Sequence, residues 1–374
     1  MAKLTLSKVA TADRGGTGGG PLLDLEVPDR QLVVFTGPPG GGKSNILRMI
    51  AGLEKTSSGQ ISLGEKRIDN LVPQQRDVAM VFANDSLYPQ MTMRENIAFG
   101  LKRRRFGKSE IKKRVEDAGN VLGIGQYFEK KPSECAMSVR QRVAIARGVA
   151  RQPQVFLYDD ALANVEPSSR AELKNEIINL HERQQTTTIF ATGDKREAMS
   201  MAETIVLLDE GGLQAVGTPR ALYEQPENIF VAKFLGHPPM NFVQGELKLD
   251  RGALQFCEAE GGTIQVNLSR LERFEVVRSF VGKSTFLGVR PEDIKVVSSG
   301  EAKEGNVAAI FRAIVERVEP LGPQSDIYFN TGVHTGMCRS QGLLDRNEAG
   351  RRMEFVVNLE KIHFFDPASR KRIV

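Results

Sequence analysis

The 374-residue chain contains no tryptophan and only three cysteines, Cys135, Cys257 and Cys338. Set so far apart, they offer neither a disulfide framework nor a zinc-ligand spacing, and they suit a reducing compartment. No run approaches the ~18 consecutive apolar residues that a membrane span needs. The opening MAKLTLSKVATADRGG lacks the apolar core of a signal peptide, so none is expected. No aromatic residue precedes Phe35. Histidine is scarce: His181, His237, His334 and His363 are the four, and each reads as structural.

What is present describes an ordinary globular protein, with 40% hydrophobic and 26% charged residues. The length exceeds what one core usually holds, so two domains are expected. The formal charge of +5 is concentrated in Lys102-Arg103-Arg104-Arg105, then Lys108, Lys112, Lys113 and Arg114. Such a stretch reads first as a solvated helix and loop. A basic face toward anionic lipid or nucleic acid is the competing reading. Nucleic acid is disfavoured as a partner, because no base-stacking aromatics are interleaved.

Along the chain, a short strand pattern (LTLSKV) precedes a glycine-rich run at Gly15 to Gly20. A buried strand follows at Leu32 to Thr36, then a glycine turn and a helical pattern from Ser44 to Ala51. Residues 86 to 148 read as mainly helical. Val155 to Tyr158 reads as a buried strand ending in Asp159-Asp160. A helix (Ser168 to Arg183), a strand (Thr187 to Ala191), a helix from Lys195 and a strand (Thr204 to Leu208) complete an alternation that predicts a largely parallel α/β sheet. The composition shifts near Gly236-His237-Pro238-Pro239. Beyond it, strands are expected at Phe274 to Val277, Ile294 to Val297, Ala313 to Val318, Asp326 to Phe329 and Glu354 to Val357. Their close spacing predicts a small all-β domain. The expected division is 1–236, with a helical subdomain at about 86–150, and 237–374.

Gly37-Pro38-Pro39-Gly40-Gly41-Gly42-Lys43-Ser44 satisfies G-x-x-x-x-G-K-[ST] between a strand and a helix. Its glycines let backbone N–H groups curl around phosphates. Lys43 offers a charge to them and Ser44 a hydroxyl to Mg²⁺, while the helix N-terminus adds a favourable field. The fold class is therefore an α/β P-loop NTPase domain. Asp159, ending a buried strand downstream of that loop, reads as the second Mg²⁺-site carboxylate.

The chain also resembles, almost end to end, ATP-binding-cassette (ABC) importer ATPases of the maltose and glycerol-3-phosphate type. The stretches that carry the likeness are AGLEKTSSGQISLG, QQRDVAMVF, SLYPQMTMRENIAFGLK, RQRVAIARGVARQPQVFLYD, TTTIFATGDKREAM and YEQPENIFVAKFLGHPPMNF, with LGVRPEDIKV and FFDPASRKRI near the end. The resemblance implies an ATP and Mg²⁺ site and a second domain with an oligonucleotide-binding-like (OB-like) β fold of the TOBE regulatory type. It implies a head-to-tail homodimer or heterodimer, peripheral on the cytoplasmic face of the plasma membrane, beneath two membrane-spanning subunits. A solute-binding protein would be an indirect partner, and a sugar or similar solute the cargo. Leu87-Tyr88-Pro89 and Glu95-Asn96-Ile97 match the region that receives the membrane subunits.

The departures from that pattern fall on motif positions. Ala83 stands where the family has a glutamine. Cys135-Ala136-Met137-Ser138-Val139 stands for L-S-G-G-Q, and Ala163-Asn164-Val165-Glu166 for S-N-L-D. The catalytic glutamate is Asp160, an impaired base candidate one methylene shorter, followed by Ala161 in place of proline. Gly193 takes the place of the switch histidine. The adenine-stacking aromatic near position 12 is missing. The resemblance thus implies an importer ATPase whose hydrolysis is weak or absent on its own. The alternative is a non-hydrolysing structural or regulatory partner of a complete-motif ABC ATPase.

Overall fold

The computed structural model describes residues 3–10, 21–210, 212–268, 272–297, 308–342 and 345–374; the Gly15 to Gly20 run lies outside them. The chain divides into two compact units, residues 1–221 and 222–374. This break precedes the composition change near Gly236.

In chain order the first unit begins with β1 (Leu4–Ala10), β2 (Leu23–Val27), β3 (Leu32–Thr36), α1 (Lys43–Ala51), β4 (Ser58–Leu63), β5 (Lys66–Arg67) and β6 (Val78–Phe82). A helical stretch follows, α2 (Met93–Arg103), α3 (Lys108–Val121) and α4 (Met137–Val149). The unit continues with β7 (Val155–Asp159), α5 (Pro167–Gln184), β8 (Thr187–Ala191), α6 (Lys195–Met201), β9 (Thr204–Asp209) and β10 (Gly212–Gly217). The strands form two sheets. One is six-stranded, ordered β10-β9-β3-β8-β7-β6, and all its strands but β10 run parallel. Every residue of β3, β7 and β8 is buried, as a strand covered on both faces must be. The other sheet, β2-β1-β4-β5, is antiparallel; of its strands only β1, the LTLSKV segment, was expected from the sequence. Its inward residues Leu4 and Leu6 share one core with Ile46 and Ile50 of α1 and Phe35 of β3. The phosphate-loop helix is thereby clamped between two apolar surfaces.

The helical stretch is held to the parallel sheet through α4. Gly148 lies so close to β7 that an added Cβ would stand 2.6 Å from the Phe156 ring. Gln141, buried on the same helix, donates to the Phe82 carbonyl at 2.9 Å.

The second unit opens within α7 (Pro219–Glu224), followed by α8 (Ile229–Leu235) and two antiparallel five-stranded sheets. The strands are β11 (Asn241–Asp250), β12 (Ala253–Glu258), β13 (Gln265–Asn267), β14 (Ser284–Val289), β15 (Ile294–Val297), β16 (Ala308–Pro320), β17 (Gln324–Asn330), β18 (Thr335–Gln341), β19 (Arg352–Asn358) and β20 (His363–Phe365). The sheets are ordered β13-β12-β11-β14-β20 and β15-β19-β16-β17-β18, and residues of both, among them Leu247, Phe256, Phe311 and Phe355, share one core. Four of the expected strands lie within β15, β16, β17 and β19. The fifth, Phe274 to Val277, is instead part of a 3₁₀ segment at Glu272–Phe280. Of its two valines Val277 turns inward (0% exposed) while Val276 stands 60% exposed. The exposed Glu275–Arg278 pair at 2.5 Å spans the i,i+3 spacing, and β-propensity, which reflects packing on a half-buried pleated face, has no such face to act on at exposed Val276.

Candidate nucleotide site

The site forms where β3, β7 and β8 end. Residues 37 to 42 leave β3, and three glycines take positive φ along their path, Gly37, Gly40 and, as the N-cap of α1, Gly42 at +85°. Gly37 has φ +147°, and a Cβ there would stand 1.9 Å from the Leu208 carbonyl oxygen of β9. Gly40 has φ +84° with open space around it. The loop closes through Gly41 N–H to the Pro38 carbonyl at 3.1 Å, and α1 begins with Ile46 N–H donating to Gly42 at 3.0 Å. The helix has no side-chain cap and no acidic residue in its first turn, so its N-terminal amides are left facing the loop.

Lys43 is buried, and its ammonium donates to the carbonyls of Gly37 (2.8 Å) and Pro38 (2.9 Å). Burial pulls its pKa below the ordinary lysine value, while the nearby Asp160 and Asp159 oppose that shift. Ser44 donates its hydroxyl to Asp159 Oδ1 at 2.6 Å. Asp159 is itself buried at the end of β7. The residues the sequence singled out as Gly37 to Ser44 and Asp159 therefore meet in one place.

Asp160 is part of the same cluster. Its φ of 49° is a left-handed value that non-glycine residues adopt sparingly. Its N–H is held by the Ala191 carbonyl at 3.0 Å. Burial, and then the neighbouring Asp159, raise its carboxyl above the usual aspartate pKa, partly offset by a hydrogen bond from the Gly193 backbone. Gly193 has open space where a side chain would begin. Beside it, Thr192 donates to buried Glu197 at 2.6 Å and Arg170 pairs with the same carboxylate at 2.7 Å. The Asn164 side chain reaches the Ala83 carbonyl at 3.2 Å and Asn84 Oδ1 at 3.0 Å. Phe35 is wholly buried in the core.

Residues 135–139 lie at the start of α4. Met137 is its first residue, Ala136 supplies no side-chain cap, and Arg140 donates to the Met137 sulfur at 3.1 Å. Arg140 also stands 2.8 Å from the Asp85 carboxylate, off the hydrogen-bonding direction. Leu87 to Pro89 is fixed by buried Asn96. Its carbonyl oxygen accepts from Tyr88 N–H at 2.7 Å, and its amide donates to the Tyr88 and Thr92 carbonyls at 3.1 and 2.9 Å. The Tyr88 ring packs 4.5 Å from that of Phe99. Sequence reasoning missed the roles of Gln141, Arg170 and Glu197, since no spacing rule distinguishes a buried polar anchor from a surface one.

A phosphate loop, a strand-end carboxylate paired with its serine, and a helical insertion between β6 and β7 define an ABC-type nucleotide-binding domain. The family comparisons agree: residues 22–163 match the ABC transporter family and residues 236–294 the MalK OB fold domain. The chain is 40% identical over 94% of its length, and 94% of the relative's, to the oligosaccharides import ATP-binding protein MsmX of Bacillus subtilis. It is 36% identical, over the full length of both chains, to an sn-glycerol-3-phosphate import ATP-binding protein, UgpC, of Cupriavidus necator. Among solved structures, cbiO1 of Clostridium perfringens, part of the ABC transporter complex cbiONQ, superimposes with a TM-score of 0.55 at 23% identity, covering 59% of this chain and 90% of that one. A dimeric ATP-binding cassette in a post-hydrolysis state, bound to ADP and Pi, gives 0.52 at 23% identity, covering 58% and 99%. The chain belongs to the ABC transporter family, as an ATP-binding-subunit type with a MalK-like OB domain. Among the described residues no helix is long and apolar enough to cross a membrane.

Proposed function

We propose that this chain is the nucleotide-binding subunit of an ABC importer, coupling ATP binding to uptake of a sugar or similar solute, with impaired hydrolysis. The observation that carries the reading is the Lys43–Ser44–Asp159 cluster, in a chain 40% identical to an oligosaccharide-import relative. Mg-ATP fits this cradle. Lys43, now bonded to its own loop carbonyls, would turn to the phosphates, and Ser44 and Asp159 would share the cation that their mutual hydrogen bond replaces. The bound cation would supply charge neutralisation for phosphoryl transfer. Asp160 is the carboxylate available as base, held by a shorter side chain than the family's glutamate. Leu87 to Pro89 is the proposed docking loop for the membrane-spanning subunits.

A second reading, a non-hydrolysing partner of a complete-motif ABC ATPase, is favoured by the start of α4. There Met137 puts a side chain where close backbone approach to a γ-phosphate on a partner subunit needs none. In a heterodimer both composite sites would be impaired, one by Ala83, Asp160 and Gly193, the other by residues 135–139. The test is ATP turnover of the chain reconstituted with membrane subunits and a complete-motif partner, before and after residues 135–139 are rebuilt to Leu-Ser-Gly-Gly-Gln. Repair should restore turnover at one site. Rapid turnover by the unaltered chain, about 1 per second or faster, would refute the impairment.

A further inference from the structure

The second unit holds a buried carboxylate that the nucleotide site does not use. Glu258 ends β12, and its side chain is wholly shielded from solvent. Three donors converge on it. Thr331 gives its hydroxyl to Oε1 at 2.5 Å, the Ile264 N–H meets Oε2 at 2.9 Å, and His334 Nδ1 stands 2.7 Å from Oε1. The Thr331 oxygen in turn accepts from the backbone N–H groups of His334 and Val333 at 3.0 and 3.4 Å, which leaves its proton for the carboxylate. Such a set suits an ionised carboxylate, which only accepts.

The other edge of the imidazole fixes its tautomer. The Gln244 N–H of β11 donates to His334 Nε2 at 3.3 Å. Pairing of β11 with β12 begins one residue later, where Gly245 faces Glu258, so the ring extends the edge of β11 past the end of β12. A donor aimed at Nε2 requires a lone pair there. The ring proton therefore sits on Nδ1 and is given to Glu258.

We infer that His334 is a proton-operated latch between the turn at 331–334 and β11. Protonation puts a second N–H on Nε2, opposite the Gln244 N–H, and two donors cannot share that contact. The bond from Nδ1 to Glu258 becomes an ion pair and persists. The ring and its turn thus part from β11 while staying tied to β12. Behind the ring, a cavity of about 20 Å³ is walled by Val243, Ile264 and Phe329 among others, and none of its lining side chains is acidic or basic apart from His334 itself. A cation has no seat there, so the ring moves outward, where it is already 23% exposed. The charged groups of the surrounding elements are engaged away from the ring. Glu246 of β11 pairs with Lys248, Glu316 of β16 accepts from Asn330, and Asp326 of β17 pairs with Arg339 of β18. Glu260, in the turn after β12, is exposed. Thr335, Gly336 and Met337 follow the latch directly and line a groove of about 530 Å³ with Asn241 and Phe242, where Lys233 lies 5.1 Å over the Phe242 ring. The latch therefore links the shape of that groove to pH.

The test uses the full chain without nucleotide or membrane subunits, so its outcome is independent of the importer reading. Nitrogen-15 spectra of the histidine rings, with the His334 signals assigned by their loss in His334→Gln, should show a proton on Nδ1 and none on Nε2 at about pH 8. Amide exchange at Gln244, expressed as protection relative to an unstructured chain at the same pH, should fall about tenfold between about pH 8 and about pH 5. The amides of Val243 and Gly245, residues that pair with Leu287 and Thr285 of β14, should change by less than about twofold over that range. His334→Gln, whose side-chain carbonyl can accept the Gln244 N–H but takes up no proton, should flatten the pH dependence. Glu258→Gln removes the anion that steadies the imidazolium and should move the fall in protection to lower pH. Circular dichroism confirms that each variant folds, and the two measurements on the parent chain need no folded variant beyond the assignment. The opposite tautomer, or Gln244 protection that ignores pH, overturns the inference. So does an equal fall at Val243 and Gly245, an undiminished fall in His334→Gln, or an unmoved midpoint in folded Glu258→Gln.

Discussion

Ser44 donates its hydroxyl to Asp159 at 2.6 Å, although 115 positions separate them in the chain. The bond joins the start of α1 to the end of β7 and pre-positions two oxygens for one cation. Ser44→Ala should therefore remove the Mg²⁺ dependence of nucleotide binding while leaving measurable affinity. Lys43→Ala, which deletes the phosphate-facing charge, should weaken binding at least about tenfold with or without the metal. Calorimetric titration with ATP, in Mg²⁺ and in chelator, separates the two outcomes. Unchanged binding by the Lys43 variant would contradict the phosphate-loop assignment.

Gly37 and Gly40 of the loop should differ in their tolerance. At Gly37 an alanine Cβ would enter the Leu208 carbonyl oxygen, and neither backbone can yield without breaking the β3–β9 pairing. Gly37→Ala is expected to cost about 3 kcal/mol or more, or to prevent folding. Gly40→Ala meets only the left-handed backbone penalty, about 1–2 kcal/mol, since nothing lies within 4 Å of the added carbon. Urea denaturation of both variants measures the difference, and equal destabilisation would show that the close approach to β9 is relaxed in solution.

Asp160 carries a raised pKa, caused first by burial and then by Asp159. Its ionised form is therefore less favoured in the folded chain than in the unfolded one, so at neutral pH the charge costs stability. That cost is present above the folded-state pKa and disappears as pH falls through it toward the ordinary aspartate value. Asp160→Asn should be more stable than the parent at pH 7, with the gap closing in acid. Thermal unfolding across pH reports it, and a variant less stable than the parent at pH 7 would mean that the carboxylate is stabilised rather than strained there.

Asn96 is wholly buried and serves the Leu87 to Pro89 loop from inside α2. Asn96→Ala leaves the Tyr88 amide and carbonyl without these partners and should destabilise the first unit by about 2–3 kcal/mol. Amide exchange should quicken at residues 87–92 before it does in β3 or β7. Uniform exchange throughout the unit would place the loss elsewhere.

The strands that the sequence revealed most clearly, Leu32–Thr36 and Thr187–Ala191, are continuous apolar or β-branched runs, and both are buried at every position. The phosphate loop was equally legible, because its chemistry depends on residue types at fixed spacing along a short segment. The antiparallel sheet of β1, β2, β4 and β5 was not. Its strands are short and half exposed, and a period-2 pattern over five or six residues does not say which other strand it will pair with.

By itself, the sequence determined the kind of local structure each segment prefers and the chemistry its side chains can offer. Gly37 to Ser44 can cradle phosphate wherever a strand and a helix flank them. Only the tertiary structure decided which polar residues are buried and what they meet. Gln141 and Asn96 became internal anchors because α4 and α2 turn those positions inward, and Asp160, already next to Asp159 in the chain, acquired its raised pKa because packing at the ends of β7 and β8 removes water from the pair. The same holds for Lys102, Lys108 and Lys112. In the sequence they read first as a solvated run, with a basic face as the competing reading, and the packing of α2 against α3 sets them around one apolar groove. Burial and electrostatic coupling depend on distances through space, and those are settled only when the chain has closed on itself.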